Sequence, residues 1–372
     1  MKVAIIGDSI TMTTGYATDS LIMLKGLQKR GHEVVDIGLQ YIGNPFEYDG
    51  IEVRAGNSTA DIERSIKATK PDYVIHFRDA WIYTGFGYEQ YTLIDRVHKY
   101  GAKLINMTPA DMQPMPKVFI DAIKEEGDFT LFATKWATDY FKSIGVDNVD
   151  YIPNGVQEGI RPIEVNKAHR PLEFPSGTMM MNVGYAVELR KLTPLVMLLL
   201  KKYVPYDRTA FAYLHTQVRS YFLNDMIQEM LGLGKGRVLY SQFNDGKSTL
   251  HGYSPDTLNT LYNMSDVYCN FASREGFGKT ELEAASLGIP VLVSDFPVHR
   301  EVLSNYPSVH FVKAPRILPS PWTFEYFADM DNALEIMLDL KDKGFPRSKP
   351  HVEKEHTHEY IAEKLEKVLE GI

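Results

Sequence analysis

Ser273-Arg274-Glu275-Gly276-Phe277-Gly278-Lys279-Thr280-Glu281-Leu282-Glu283-Ala284-Ala285-Ser286-Leu287-Gly288-Ile289-Pro290-Val291 reads as a strand-to-helix turn followed by a second strand. An apolar run ends near Asn270, just before it. A loop with two glycines follows, and a short helix is expected from about Thr280 to Leu287. Gly288 stops that helix and Pro290 keeps it from resuming. Gly276 and Gly278 let the backbone approach a ligand with no Cβ in the way. The helix start offers free N–H groups and the positive end of a dipole, a setting that favours a phosphate. Glu275 lies in the loop and Glu283 in the expected first turn, so both acids can face one ligand from the same end. Carboxylates that accept from neighbouring hydroxyls commonly hold a sugar. The plainer reading of the same residues is a tight turn carrying two solvated glutamates.

The surroundings repeat this strand-and-helix grammar. Val3–Ile6, Val34–Ile37, Tyr73–Phe77, Leu104–Asn106, Phe129–Ala133 and Val149–Ile152 read as buried strands, with helical patterns between them. One such helix is expected over about Asp19–Arg30, closed by Gly31, and another is capped by Ser58 or Thr59. The pattern pauses over Arg161–Thr178, which holds Pro162, Pro171 and Pro175 and reads as a linker. It restarts with strands at Met179–Val183, Ala210–Leu214, Val238–Tyr240, Val267–Asn270, Val291–Val293 and Phe311–Val312. Helices are expected at Leu192–Lys202, at Tyr221–Leu231 and after Ser254, with Pro255 at the first helical position. The fold class is therefore α/β: two Rossmann-like, doubly wound parallel-sheet domains facing a cleft. The expected bounds are 1–163, 164–345, and a C-terminal helix in 346–372 that packs back on the first domain.

Composition narrows the function classes. A chain of 372 residues with 44% hydrophobic and 24% charged residues can bury two cores without staples. The formal net charge of −8 argues against a general nucleic-acid binder, which needs a basic face. The one cysteine, Cys269, sits in an apolar run, forms no internal disulfide and suits a reducing compartment. The apolar run at Met1–Gly7 is too short for a signal peptide, and no stretch approaches a membrane span. The expected location is the cytoplasm, with peripheral contact at a membrane surface left open.

The spacing Glu275-x7-Glu283, set in E-G-F-G-…-L-E-A-…-G-I-P-V, resembles the signature of family 4 glycosyltransferases, the "group 1" retaining enzymes of the GT-B fold. The likeness extends along most of the chain, through Lys29–Val34, Asp128–Gly145, Ile152–Val156, Gly252-Tyr253-Ser254 and Leu258–Asp266. It implies that Glu275 contacts the donor sugar and Glu283 the ribose. It places the backbone of Gly276, Phe277, Gly278, Lys279 and Thr280 against sugar and phosphate, and Tyr253 near the base. In Gly184-Tyr185-Ala186-Val187-Glu188-Leu189-Arg190-Lys191, the pair Arg190-Lys191 fits the family's diphosphate-binding cations. Tyr185 stands where an arginine is often found. Cations at a helix start oppose the dipole, which favours a bound anion there.

The first domain is less regular. Thr13-Thr14-Gly15-Tyr16 occupies the place of the family's glycine-rich loop, so Gly15 joins the donor-binding candidates. The histidine that many members carry after a middle strand is absent from Asn106–Asp111, and Asp111 is the stand-in. His76 and Trp81, the latter in an aromatic loop, complete the acceptor-side candidates.

The resemblance implies retaining transfer of a hexosyl group from a nucleoside diphosphate sugar to a hydroxyl of a glycan, lipid-linked or small-molecule acceptor. Glu275, Lys191 and Arg190 are the catalytic candidates. No cofactor and no metal is expected, the nucleotide sugar being a substrate. Gly7-Asp8-Ser9-Ile10-Thr11 offers a rival from another reaction class, because it looks like the nucleophile block of GDS-type (SGNH) hydrolases. That reading lacks an Asp-x-x-His near the end of the chain and leaves the second domain unexplained. A non-catalytic nucleotide-sugar-binding protein is the third reading. Asp329-Met330-Asp331 imitates a metal-binding pair but sits in a helical pattern, and Asp245-Gly246-Lys247-Ser248 lacks the upstream glycine of a P-loop.

Overall fold

Two parallel sheets carry the chain in the computed structural model, which describes residues 1–80, 93–165, 174–184, 189–216, 221–241, 253–319 and 323–372. They belong to two compact units, 1–157 with 353–372, and 158–352.

The first unit holds β1 (Lys2–Gly7), β2 (Glu33–Gly38), β3 (Phe46–Tyr48), β4 (Ile51–Ala55), β5 (Tyr73–Phe77), β6 (Lys103–Thr108), β7 (Phe129–Phe132) and β8 (Val149–Tyr151). Their order is β3-β4-β2-β1-β5-β6-β7-β8, parallel except for β3 against β4. Helices α1 (Gly15–Lys29), α2 (Thr59–Thr69), α3 (Leu93–His98), α4 (Lys117–Glu125) and α5 (Lys135–Ser143) lie between strands. The β3–β4 hairpin escaped periodicity because its strands are short, although Asp49-Gly50, both at positive φ, is a favoured two-residue hairpin turn. Helix α1 begins four residues before the expected Asp19, because the Thr14 hydroxyl accepts from Ala17 N and caps it. Ser58 caps α2 in the same way. Helix α12 (His358–Gly371) returns to this unit. Its Ile361, Leu365 and Leu369 join Ile22, Leu24 and Leu27 of α1 in one buried cluster. A Cβ on Gly26 would stand 2.5 Å from that of Ala362, so only glycine permits this approach.

The second unit holds β9 (Met179–Val183), β10 (Phe211–His215), β11 (Val238–Tyr240), β12 (Val267–Asn270), β13 (Val291–Ser294) and β14 (Val309–Val312). Helices α6 (Pro194–Tyr203), α7 (Tyr221–Met230), α8 (Pro255–Met264), α9 (Lys279–Ser286), α10 (Pro297–Leu303) and α11 (Met330–Asp342) connect and flank them. A separate hairpin pairs β15 (Arg316–Pro319) with β16 (Phe324–Phe327). The six-stranded order β11-β10-β9-β12-β13-β14 is doubly wound and reverses between β9 and β12. In such sheets a crevice opens beyond the carboxyl ends of the strands at that reversal, and ligands bind there.

The bounds differ from the expected 163/164 and 345/346. The chain joins the second unit earlier because Arg161 N and Ile163 N donate to the Asn259 and Asn263 side chains of α8, at 3.0 and 3.3 Å. It leaves later because Ser348 N donates to Gly288 O and His351 N to Ser286 O. Among the described residues, no helix is long and apolar enough to cross a membrane.

Candidate active site

The loops after β9 and β12 flank the reversal point of the second sheet, and they carry the catalytic candidates. After β9, a 3-10 turn places Arg190 and Lys191 just before α6. Ser273 N donates to Arg190 O at 2.7 Å, which ties this turn to the loop after β12. That loop is held from its other side by β16, whose Tyr326 N donates to Ser273 O at 3.0 Å. Within this frame Arg190 Nη1 donates to Glu275 Oε2 at 2.9 Å, and Lys191 Nζ donates to Glu275 Oε1. Glu275 is 5% exposed, so its charge is held by these two cations rather than by water. Burial pushes its carboxyl up, but Lys191 and then Arg190 outweigh burial and hold it well below the usual carboxylate range.

Gly278 caps α9 at φ +91 and makes no side-chain hydrogen bond to it. A helix start so arranged presents backbone N–H groups to a ligand. Helix α9 starts at Lys279, one residue before the expected start, and this shifts the acids: Glu281 falls in the first turn and Glu283 beyond it. Neither Glu275 nor Glu283 is solvated, since both are buried. Glu283 accepts from Tyr262 Oη of α8 at 3.0 Å. Burial and then Glu283 push the Tyr262 hydroxyl well above its ordinary value, so it stays a donor. Phe277 is buried beside these glycines. Tyr253 meets the Tyr213 hydroxyl at 3.2 Å and the His215 ring at 4.9 Å, an aromatic group at the carboxyl end of β10.

Sequence reasoning missed the layer under the loop. Asn270 Nδ2 donates to Glu281 Oε1, and Thr280 Oγ1 donates to Glu281 Oε2 at 3.0 Å. Tyr268 Oη donates to Thr280 Oγ1 at 2.8 Å. Helix α9 is buried at every position from Glu281 to Ser286, which its mixture of polar and apolar residues does not announce.

Gly15 is the first residue of α1, with nothing within 4 Å of a Cβ placed there. His76 is buried, and burial and then Arg78 lower it to about 3, so its ring is neutral. Asp111 is half-buried in the loop after β6. Trp81 and Tyr185 lie outside the described residues. Ser9 is wholly buried, and its hydroxyl's partners among the described residues are Asp36 at 3.1 Å and Thr11 at 3.1 Å. A nucleophile needs a hydroxyl that a substrate can reach, so the burial of Ser9 disfavours the hydrolase reading. Asp8, next to Ser9, accepts from Arg78, Gln40 and Thr14 and joins the ends of β1 and β5. Asp329 is the N-cap of α11, accepting from Asp331 N and Asn332 N, which accounts for the Asp-x-Asp pattern. Cys269 is buried and its thiol is pushed up by burial.

Residues 241–316 match the family described as "Glycosyl transferases group 1". No curated protein matches the sequence. Among solved structures, sucrose-phosphate synthase from Thermosynechococcus elongatus aligns at TM-score 0.65 and 10% identity, covering 100% of this chain and 94% of that one. WaaG, a glycosyltransferase involved in lipopolysaccharide biosynthesis, aligns at TM-score 0.59 and 13% identity, covering 100% and 95%. A trehalose-6-phosphate synthase, studied for glycosyltransfer with retention, aligns at TM-score 0.63 and 12% identity, covering 100% and 99%. The fold is therefore the two-domain α/β fold of the GT-B glycosyltransferases.

Proposed function

We propose that this protein transfers a hexosyl group from a nucleoside diphosphate sugar to an acceptor hydroxyl, with retention of configuration and no resident metal. The observation that carries the reading is Glu275 bridged by Lys191 and Arg190 at the reversal point of the second sheet, inside the segment that matches group 1 glycosyl transferases. A cation pair holding an internal carboxylate is also a cation pair ready for a diphosphate. On donor binding, Lys191 and Arg190 turn to the phosphates together with the start of α9, and Glu275 is released to the sugar hydroxyls. These positive groups then stabilise the charge that develops on the departing diphosphate. The sugar C1–O bond to phosphate breaks, C1 bonds to the acceptor oxygen on the same face, and the acceptor proton goes to the leaving phosphate. Glu283, steadied by Tyr262, holds the ribose, and Tyr253 lies on the base side. The similarity to enzymes that act on sugars and sugar phosphates supports a carbohydrate acceptor, and the single buried cysteine supports a cytoplasmic setting.

A thermal-shift panel of UDP, GDP, ADP and their sugars tests the reading. A specific ligand at about 100 times its dissociation constant adds about 2.7 kcal/mol of stability. Transfer or slow donor hydrolysis that persists in EDTA is then expected with the ligand that binds. A panel without any shift, or binding without turnover, refutes it.

A further inference from the structure

Beneath the donor loop lies a pair of groups to which the roles above give no part. Glu281 is 1% exposed, and His299, from α10, is wholly buried. His299 Nδ1 lies 2.8 Å from the carbonyl oxygen of Ser294. A carbonyl only accepts, so Nδ1 carries a proton and donates it, and Nε2 of the neutral ring bears the lone pair. That Nε2 has no hydrogen-bond partner among the described residues and stands 3.8 Å from Glu281 Oε1. The carboxyl is otherwise engaged by Asn270 on Oε1 and Thr280 on Oε2. A carboxylate oxygen and an imidazole lone pair facing each other away from water repel, and a single proton between them reverses the sign. Gly278 closes the space above: a Cβ there would meet His299 Cδ2 at 3.4 Å and Glu281 Oε2 at 3.5 Å.

We propose that Glu281 and His299 form a buried carboxyl–imidazole dyad that keeps one proton at neutral pH and, through Thr280 and Gly278, positions the donor-binding loop. The role rests on the donor-site reading given above. The charged and titratable groups that face the dyad are Glu275 and Lys191 across the loop, Asp295 after β13, Tyr268 on β12 and Tyr262 on α8. Burial and then Glu275 push Glu281 above the usual carboxylate range, and burial lowers His299 to about 4, so both groups favour their neutral forms. The retained proton sets the charge that an incoming diphosphate meets. With it, Glu275 and Glu283 stand against Lys191 and Arg190. Without it, a third carboxylate lies under the phosphates. Glu281 is thus a positioning residue that also keeps the floor of the site neutral, and loss of its proton weakens donor binding as pH rises.

Two measurements test this. Calorimetric titration of UDP, GDP and ADP from about pH 6 to about pH 9 should show the bound nucleotide weakening by about tenfold in the wild type. Glu281→Gln keeps the shape and puts an amide N–H donor in place of the O–H of the protonated acid, so its affinity should stay near the wild-type value at low pH and be flat. A Glu281→Gln protein that follows the wild-type pH curve overturns the role. Long-range proton–nitrogen correlation spectra of the ligand-free, histidine-labelled wild type, assigned with His299→Asn, report the ring directly. The neutral Nδ1–H tautomer with a hydrogen-bonded Nε2 is expected at neutral pH, and an Nε2–H tautomer or an imidazolium overturns the dyad. The ring spectrum needs no ligand, so it decides the dyad even where the nucleotide panel sinks the donor site and, with it, the positioning role.

Discussion

Replacing Glu275 by glutamine should make the protein less stable and yet a better binder of plain nucleoside diphosphate. The side chain keeps its shape but loses the charge that Lys191 and Arg190 now share. Removing one partner of a buried ion pair costs about 3–5 kcal/mol, because an uncompensated charge remains. Here the charges left behind are the cations, whose side chains are 23% and 17% exposed. Water recovers part of the loss, which leaves about 2–3 kcal/mol. For a unit of this size that lowers the thermal midpoint by roughly 4–12 °C. The same change removes the carboxylate that a diphosphate must displace. A hydrogen bond to a charged group contributes about 1.5–3 kcal/mol, so sparing even one tightens binding by about tenfold. Transfer should nevertheless fall by roughly a hundredfold, since the sugar loses the group that orients it. Calorimetry with the diphosphate, a melting curve with and without it, and a transfer assay read the three effects. Weaker diphosphate binding in Glu275→Gln would refute the idea that Glu275 occupies the cations in place of phosphate.

Glu283→Gln should weaken nucleoside diphosphate binding by about tenfold to a hundredfold and leave inorganic pyrophosphate binding unchanged; equal losses for both ligands would remove Glu283 from the ribose. Ser9→Ala should keep transfer activity while destabilising the fold by about 1–3 kcal/mol, because Asp36 loses a buried donor; an esterase activity that vanishes with Ser9 would revive the hydrolase reading. Burial raises Asp36 to about 7, so the folded protein holds a proton that the unfolded chain releases near the ordinary aspartate value of 3.8. That stabilisation is complete below about pH 4 and is lost as pH rises toward 7. In urea titrations the wild type should therefore lose stability relative to Asp36→Asn along that span, and a constant difference would contradict the shift.

Much of this was legible in the residues. Met179–Val183 has the bounds that its mostly apolar run suggests, because a strand buried at every position declares itself by hydrophobicity. The loop around Glu275 was readable because its glycines and proline have few other uses. What stayed hidden depended on partners distant in the chain. Nothing next to Glu275 says that Arg190 and Lys191 will reach it across some 84 residues. Glu281 and Glu283 are two apart, a spacing that points them to different sides of a helix, and burial of both required the whole unit to close around α9. His299 became visible only when α10 brought it under the glycine turn.

The return of helix α12 to α1 has a consequence for how the protein is made. The second unit is one continuous segment, 158–352, whereas the first is split into 1–157 and 353–372. At about 5–20 residues per second, synthesis takes on the order of ten to forty seconds to pass from the end of the first piece to the end of the second. Throughout that interval Ile22, Leu24 and Leu27 lack the apolar cover of Ile361, Leu365 and Leu369. The unit that is translated first is thus completed last, and a ribosome stalled within 158–352 would display an amphipathic helix waiting for its partner.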